Sequence, residues 1–262
     1  MTKPKALVIC GDGINCDLET AFALDLAGFE SARLHVSDFL NRPLALNEAK
    51  LLAIPGGFSF GDEIASGKVL SLKIKQTLSD TLHRFIDSGN LLLGICNGFQ
   101  VLVQMGLLPF SEYRAPRVVS LARNSGGKFI NRWTELSVDH NTPGNFFDSL
   151  DTLQLPIRHG EGRLALGSQS DEHTCQTVKQ HAPLRYKDDV NGSYDRIAAL
   201  CNTTGNVLGL MPHPEAFVRW TQNPDWRREK PAKTEKGKTE PDKNEPHGLI
   251  ILRNAARMAG AQ

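Results

Sequence analysis

Two hydrophobic periods alternate along the first part of the chain. Lys5 to Cys10 (KALVIC) is a nearly continuous apolar run, the pattern of a strand buried on both faces. From Asp17 to Ala27 the residues Leu18, Phe22 and Leu26 recur at helical spacing, and Gly28 closes the run. The cycle repeats. Ala32 to Val36 and Leu51 to Ile54 predict strands, Val69 to Ile86 a helix with Leu70, Ile74, Leu78, Leu82 and Phe85 on one face, and Leu91 to Ile95 a further strand. This alternation predicts an α/β fold with a parallel sheet covered on both faces, whose ligands bind at the carboxyl ends of strands. Gly56-Gly57 and Cys96 fall at such ends.

The second half changes character. Short β-rich pieces, Phe129 to Val138, Leu153 to Ile157, Arg196 to Leu200 and Val207 to Met211, are separated by Gly, Pro, Asn and Asp clusters and predict antiparallel strands that extend the sheet. Leu249 to Leu252, with Ala255, Ala256 and Met258, predicts a terminal helix. Before it, Arg227 to Pro246 (RREKPAKTEKGKTEPDKNEP) has Ala232 as its one apolar residue outside proline and cannot bury itself, so a mobile surface insertion is expected there.

Composition narrows the setting. With 262 residues, 40% of them hydrophobic and 23% charged, the chain can bury one sizeable core, and a single domain over 1–262 is expected. Thirty basic residues against 29 acidic ones leave a net charge of +1, so no long-range field favours nucleic acid or an anionic membrane, and a small substrate fits better. The five cysteines, Cys10, Cys16, Cys96, Cys175 and Cys201, are scattered without a CxxC, and the first residues hold no apolar stretch of signal or membrane length. Free thiols in a reducing cytoplasm are expected.

Cys96 stands out among them. Gly94-Ile95-Cys96-Asn97-Gly98 has the G-x-nucleophile-x-G form of a strand-to-helix elbow, in which small flanking residues let a strained turn hold the nucleophile out of the sheet. The amino terminus of the following helix favours negative charge on such a thiol. A base is available in MPHPE, where Pro212 and Pro214 keep His213 out of helical geometry. In an extended segment His213 and Glu215 face one side, so Glu215 would hold one imidazole nitrogen and direct the other at Cys96. The pair Gly56-Gly57 supplies unencumbered backbone N–H groups for an oxyanion, with the amide of Asn97 as a second donor, although Gly-Gly alone is also an ordinary turn. Gln100 lies one helical turn after Cys96, placed either to touch a substrate or simply as a partly exposed polar residue.

Other chemistries fit less well. His159-Gly160-Glu161 with His213 and Glu215 offers metal-ligand types, but the P-C-x-x-C partner of zinc deaminases is absent and no metal is expected. Gly61 to Lys68 has the wrong glycine spacing for a phosphate loop, and Val69 stands where Mg²⁺ binding needs Ser or Thr. GDGIN after the first strand is half a dinucleotide fingerprint and is better explained as a turn. Cys10, Cys16, Cys175 and Cys201 lack the surroundings of Cys96.

IPGGFSFGD, GICNGFQVL, IRHGEGR and LMPHPE, in that order, resemble the class I glutamine amidotransferases, and within them the glutaminase subunits of phosphoribosylformylglycinamidine synthase. The similarity runs from GDGINCD to the terminal LRNAAR. It implies a flavodoxin-like class I amidotransferase fold with a central, mostly parallel sheet, helices on both faces and added antiparallel strands. It further implies a triad of Cys96, His213 and Glu215, an oxyanion hole from Gly57 and Asn97, and glutamine held by Gln100 and the main chain around His159 and Gly160. Glutamine would be hydrolysed through a thioester, and its ammonia passed to a large ATP-dependent synthetase subunit, with a small accessory subunit also in the complex. No cofactor is implied in this chain, ATP and Mg belonging to the partner. The charged stretch after Trp226 is longer than in compact bacterial members and bears on how the partner is met. Two other readings stay open on the same elbow, a cysteine hydrolase or peptidase and a non-catalytic regulatory domain.

Overall fold

The computed structural model describes residues 2–110, 117–168, 170–228 and 245–261. The expected insertion over Arg227 to Pro246 therefore lies, from 229 to 244, outside the described residues.

The elements follow in the order β1 (Lys5–Cys10), α1 (Asp17–Ala27), β2 (Glu30–His35), α2 (Val36–Asn41), β3 (Leu51–Ile54), α3 (Lys68–Asp87), β4 (Leu91–Ile95) and α4 (Asn97–Met105). Then come β5 (Val119–Arg123), β6 (Ile130–Val138), β7 (Thr152–His159), β8 (Glu161–Leu166), α5 (Glu172–Gln180), β9 (Leu184–Tyr186), β10 (Ile197–Cys201), β11 (Val207–Leu210) and α6 (His247–Met258). One nine-stranded sheet has the order β2-β1-β3-β4-β11-β10-β9-β6-β7, and β5 pairs with β8 in a separate ribbon. The pairings from β2 across to β11 are parallel, and those from β11 across to β7 are antiparallel. The fold is thus α/β, with a flavodoxin-like parallel half and an antiparallel extension.

Burial explains the strand patterns. β3 (LLAI), β4 (LLLGI), β10 (IAALC) and β11 (VLGL) sit at the sheet centre and are buried at every position, which is why their sequences are apolar without alternation. α3 packs against α2 and α4, and α1 against α6. On α3 the stripe Leu70, Ile74, Leu78, Leu82 and Phe85 is buried, as its spacing predicts. Truncating one such residue, Leu78→Ala, would cost about 2–5 kcal/mol.

α1 departs from expectation. Its stripe faces outward, with Leu18 60%, Phe22 41% and Leu26 41% exposed, while Thr20, Ala23, Leu24 and Ala27 face the core. Small side chains let α1 lie close to α6, and the bulkier stripe is left on the outer face. Arg219 covers part of it, its guanidinium 4.7 Å from the Phe22 ring centre.

Candidate active site

The carboxyl ends of β1, β3, β4 and β11 meet along one edge. At β4 the chain turns sharply into α4 through Cys96, which adopts φ 50°, ψ −102°, outside the regions a non-glycine residue normally occupies. Such a conformation costs on the order of 1–3 kcal/mol and persists only where surroundings enforce it. Here the Cys96 N–H donates to Leu210 O at 2.7 Å, and Cys96 O accepts from the Gln100 N–H at 3.1 Å. Gly98 is obligatory, since a Cβ there would lie 1.8 Å from Ile54 O. Cys96 is 5% exposed, its thiol makes a long contact of 3.6 Å to Arg158 O, and it sits at the amino terminus of α4.

β11 runs parallel to β4, with Leu210 opposite Ile95, and delivers His213 just beyond its end. Glu215 reaches His213 by a different path from the extended one expected, because Pro214–Ala216 form a turn of 3-10 helix. The meeting still occurs: His213 Nδ1 and Glu215 Oε1 are 2.5 Å apart, with 2% and 3% of the residues exposed. Burial alone would push the imidazole down. The charge of the Glu215 carboxylate, followed by that of Cys96, with the Cys16 and Cys96 sulfurs also close by, instead holds it well above its ordinary range. Nε2 is buried and has no hydrogen bond among the described residues. This leaves one imidazole nitrogen fixed by a carboxylate and the other uncommitted beside a thiol at a strained elbow.

Residues 3–244 match the family model described as CobB/CobQ-like glutamine amidotransferase domain. Phosphoribosylformylglycinamidine synthase subunit PurQ of Dehalococcoides mccartyi is 38% identical, covering 99% of each chain. The subunit of the same name from Methanococcus maripaludis is 35% identical over 96% of each. A solved structure described as PurLQS from Thermotoga maritima superposes with a TM-score of 0.68 at 36% identity, covering 86% of this chain and 94% of that one. The chain belongs to the PurQ family of glutamine amidotransferases.

Around the thiol of this glutamine amidotransferase, the other expected residues have defined places. Gly57 sits at φ 147°, bridged to Ile14, and a Cβ there would lie 2.6 Å from Gly13 O and 2.8 Å from Asn15 N. Only glycine fits where the β1 and β3 loops press together. Asn97 opens α4, and its side chain lashes the loop after β3 to the elbow: Oδ1 accepts from the Ser59 N–H at 3.1 Å, and Nδ2 donates to Asp62 Oδ1 and Gln100 Oε1, each at 2.9 Å. Gln100 is neither partly exposed nor free. It is 5% exposed, accepts from Asn97 and donates from Nε2 to Glu161 O. In this arrangement it braces the loops instead of offering an open amide.

The carbonyls of His159 and Gly160 are likewise engaged, the first by Asn124 Nδ2 at 2.8 Å and the second by the Asn124 N–H at 2.9 Å. The His159 Nδ1–H donates to Asn124 Oδ1 at 3.1 Å, and burial, then the charge on His213, pushes its pKa down to about 4. Glu161 turns away from His213, pairing with Ser66 Oγ at 2.5 Å and Arg123 Nε at 3.4 Å, so the His159, Glu161, His213 and Glu215 set does not gather.

Three residues were not anticipated from the sequence. Asn124 fastens the turn between β7 and β8. Asp62, half-buried, is raised by burial against the lowering hydrogen bonds from Gly67 and Asn97. Cys16 stands beside His213, carried there by the β1 loop, whose Asn15 and Cys16 N–H groups donate to Gly56 O at 3.3 and 3.2 Å. The one signal for it was its position in GDGINCD, after a strand whose carboxyl end lines the ligand edge.

Proposed function

We propose that this chain is the ammonia-generating subunit of phosphoribosylformylglycinamidine synthase, acting in purine biosynthesis, with Cys96 as nucleophile, His213 as base and acid, and Glu215 as the residue that orients it. The observation that carries this reading is the buried His213–Glu215 pair, its Nε2 uncommitted, beside a thiol held at positive φ. His213 Nε2 takes the thiol proton, and Cys96 Sγ attacks the side-chain carboxamide carbon of glutamine. The oxyanion gathers against the N–H groups of Gly57 and Asn97. His213 returns the proton to the departing nitrogen, ammonia leaves, and a γ-glutamyl thioester remains. Water, deprotonated by His213, opens the thioester to glutamate and free thiol.

Gln100 and the His159–Gly160 main chain shape the glutamine pocket from the elbow and the β7–β8 turn. Ammonia passes to a large ATP-dependent synthetase subunit, the seat of ATP and Mg, assisted by a small accessory subunit. The work is cytoplasmic, in keeping with five free cysteines. No described helix is long and apolar enough to cross a membrane.

Cys96→Ala in the complete synthase tests this. Glutamine-dependent product formation should fall by at least about 10³-fold, while ammonium salts still support synthesis because they enter after the broken step. Retained glutamine use would remove Cys96 as nucleophile. Loss of ammonium-dependent synthesis in a folded, assembled variant would overturn the division of labour between subunits.

A further inference from the structure

One thiol outside the proposed triad lies against it. Cys16 Sγ, a ring nitrogen of His213 and a carboxylate oxygen of Glu215 all lie within 4.8 Å of one another. Thiolate, imidazole and carboxylate are the ligand types zinc takes, and tetrahedral zinc at its usual bond lengths spaces such atoms roughly 3.3–3.6 Å apart. Seating an ion also requires the 2.5 Å contact between His213 Nδ1 and Glu215 Oε1 to open. The second, independent sign is an unmet polar group: Glu215 is 3% exposed, and its Oε2 has no hydrogen bond among the described residues. A buried carboxylate oxygen without a donor is costly, and a cation would satisfy it.

The space between the ligands is kept open by Gly56. A Cβ on it would stand 2.8 Å from His213 Cε1 and 3.3 Å from Cys16 Sγ, filling the gap. Cys16 is partly exposed, so the cluster reaches solvent at that ligand.

We propose that Cys16, His213 and Glu215 form a site for a thiophilic divalent cation of the Zn²⁺ class, whose occupancy reversibly stops glutamine hydrolysis. Binding displaces the Cys16 thiol proton and the proton shared by His213 and Glu215, and the metal takes their place. Three protein ligands leave a fourth position for water or for Cys96 itself. The inhibitory half of the proposal rests on the role assigned to His213, whereas binding does not.

The test therefore has separate arms. In the full-length Cys96→Ala chain, where any Cys96–His213 metal site is gone, Co²⁺ should produce a thiolate-to-cobalt charge-transfer band. Adding Cys16→Ser should abolish the band in protein that circular dichroism shows to be folded. Should that double variant not fold, Zn²⁺ protection of Cys16 from alkylation in Cys96→Ala protein, read by peptide mapping, gives the same answer. In the complete synthase, Zn²⁺ should inhibit glutamine-dependent synthesis reversibly by chelator. Cys16→Ser should weaken that inhibition at least about 10-fold relative to its own uninhibited rate, since losing a ligand costs no less than losing an outer-shell partner. A cobalt band indifferent to Cys16, unprotected Cys16, or equal zinc inhibition with and without the thiol would overturn the site. Binding at Cys16 without inhibition would refute the switch and with it the assignment of His213 as base.

Discussion

Cys96 and Cys201 end neighbouring parts of one sheet and are almost equally hidden, 5% and 1% exposed, but their surroundings differ in kind. Cys201 closes an antiparallel strand in ordinary extended backbone. Both its N–H and its thiol turn to His181 O, at 2.9 and 3.5 Å, and burial pushes its pKa up to about 12. Cys96 ends a parallel strand at a strained φ, with a helix terminus beneath it and an imidazole beside it. Burial alone therefore does not distinguish an inert thiol from a reactive one. The distinction comes from backbone conformation and from which charged groups share the burial.

The difference should be largest in alkylation. A glutamine-mimicking diazo-ketone should label Cys96 at least about 10³-fold faster than Cys201, whose thiolate is scarce near neutral pH. Peptide mapping after limited labelling reads the ratio, and comparable rates would erase the contrast.

The contrast should also depend on the loop facing the elbow. Gly57→Val places side-chain atoms where the backbone of Gly13 and Asn15 already lies, displacing the proposed oxyanion donor. Glutamine turnover should drop on the order of 10²-fold, while Cys201, far from this loop in sequence and on the antiparallel side, keeps its protection from labelling. Normal turnover in the folded variant would move the donors elsewhere.

The smallest effect concerns His159, which shares the buried environment of the proposed triad as a neutral ring. Its pKa is depressed to about 4 in the fold against 6.5 in the open chain, so between those values the unfolded state binds more protons. Stability contributed by this group is present above about pH 6.5 and is lost as pH falls toward 4, by up to about 3 kcal/mol. Urea unfolding at several pH values should show His159→Gln with a shallower acid limb than the parent, and parallel limbs would mean the ring is not held neutral.

Legibility followed burial. β3 and β4 have the boundaries their apolar runs predict, α3 differs from expectation by a residue at each end and β11 by a residue at one, because central elements must be apolar wherever they are covered. β2, expected from Ala32, begins at Glu30: it is an edge strand with the polar sequence ESARLH, and its pairing to β1 leaves little trace in composition. The β5–β8 ribbon was not foreseen, since half of it carries the HGEGR motif and shows little alternation. α1 shows that spacing reveals a face without revealing which side is covered. The same distinction applies to the site. Cys96 and the His213–Glu215 pair were readable because each sits in a local motif at a strand end, whereas Cys16 reaches His213 only through hydrogen bonds between the β1 and β3 loops, a tertiary fact.

The lock between β4 and β11 has one more consequence. The strand carrying the proposed nucleophile and the strand carrying the proposed base are adjacent, in parallel register, and joined at their tips by the Cys96 N–H to Leu210 O bond. A thermal displacement of that sheet edge, or a push transmitted from a docked subunit, is common to both groups and cancels in their separation. Sulfur and imidazole thus behave as two marks on one ruler, which shifts relative to the substrate without changing the interval between them.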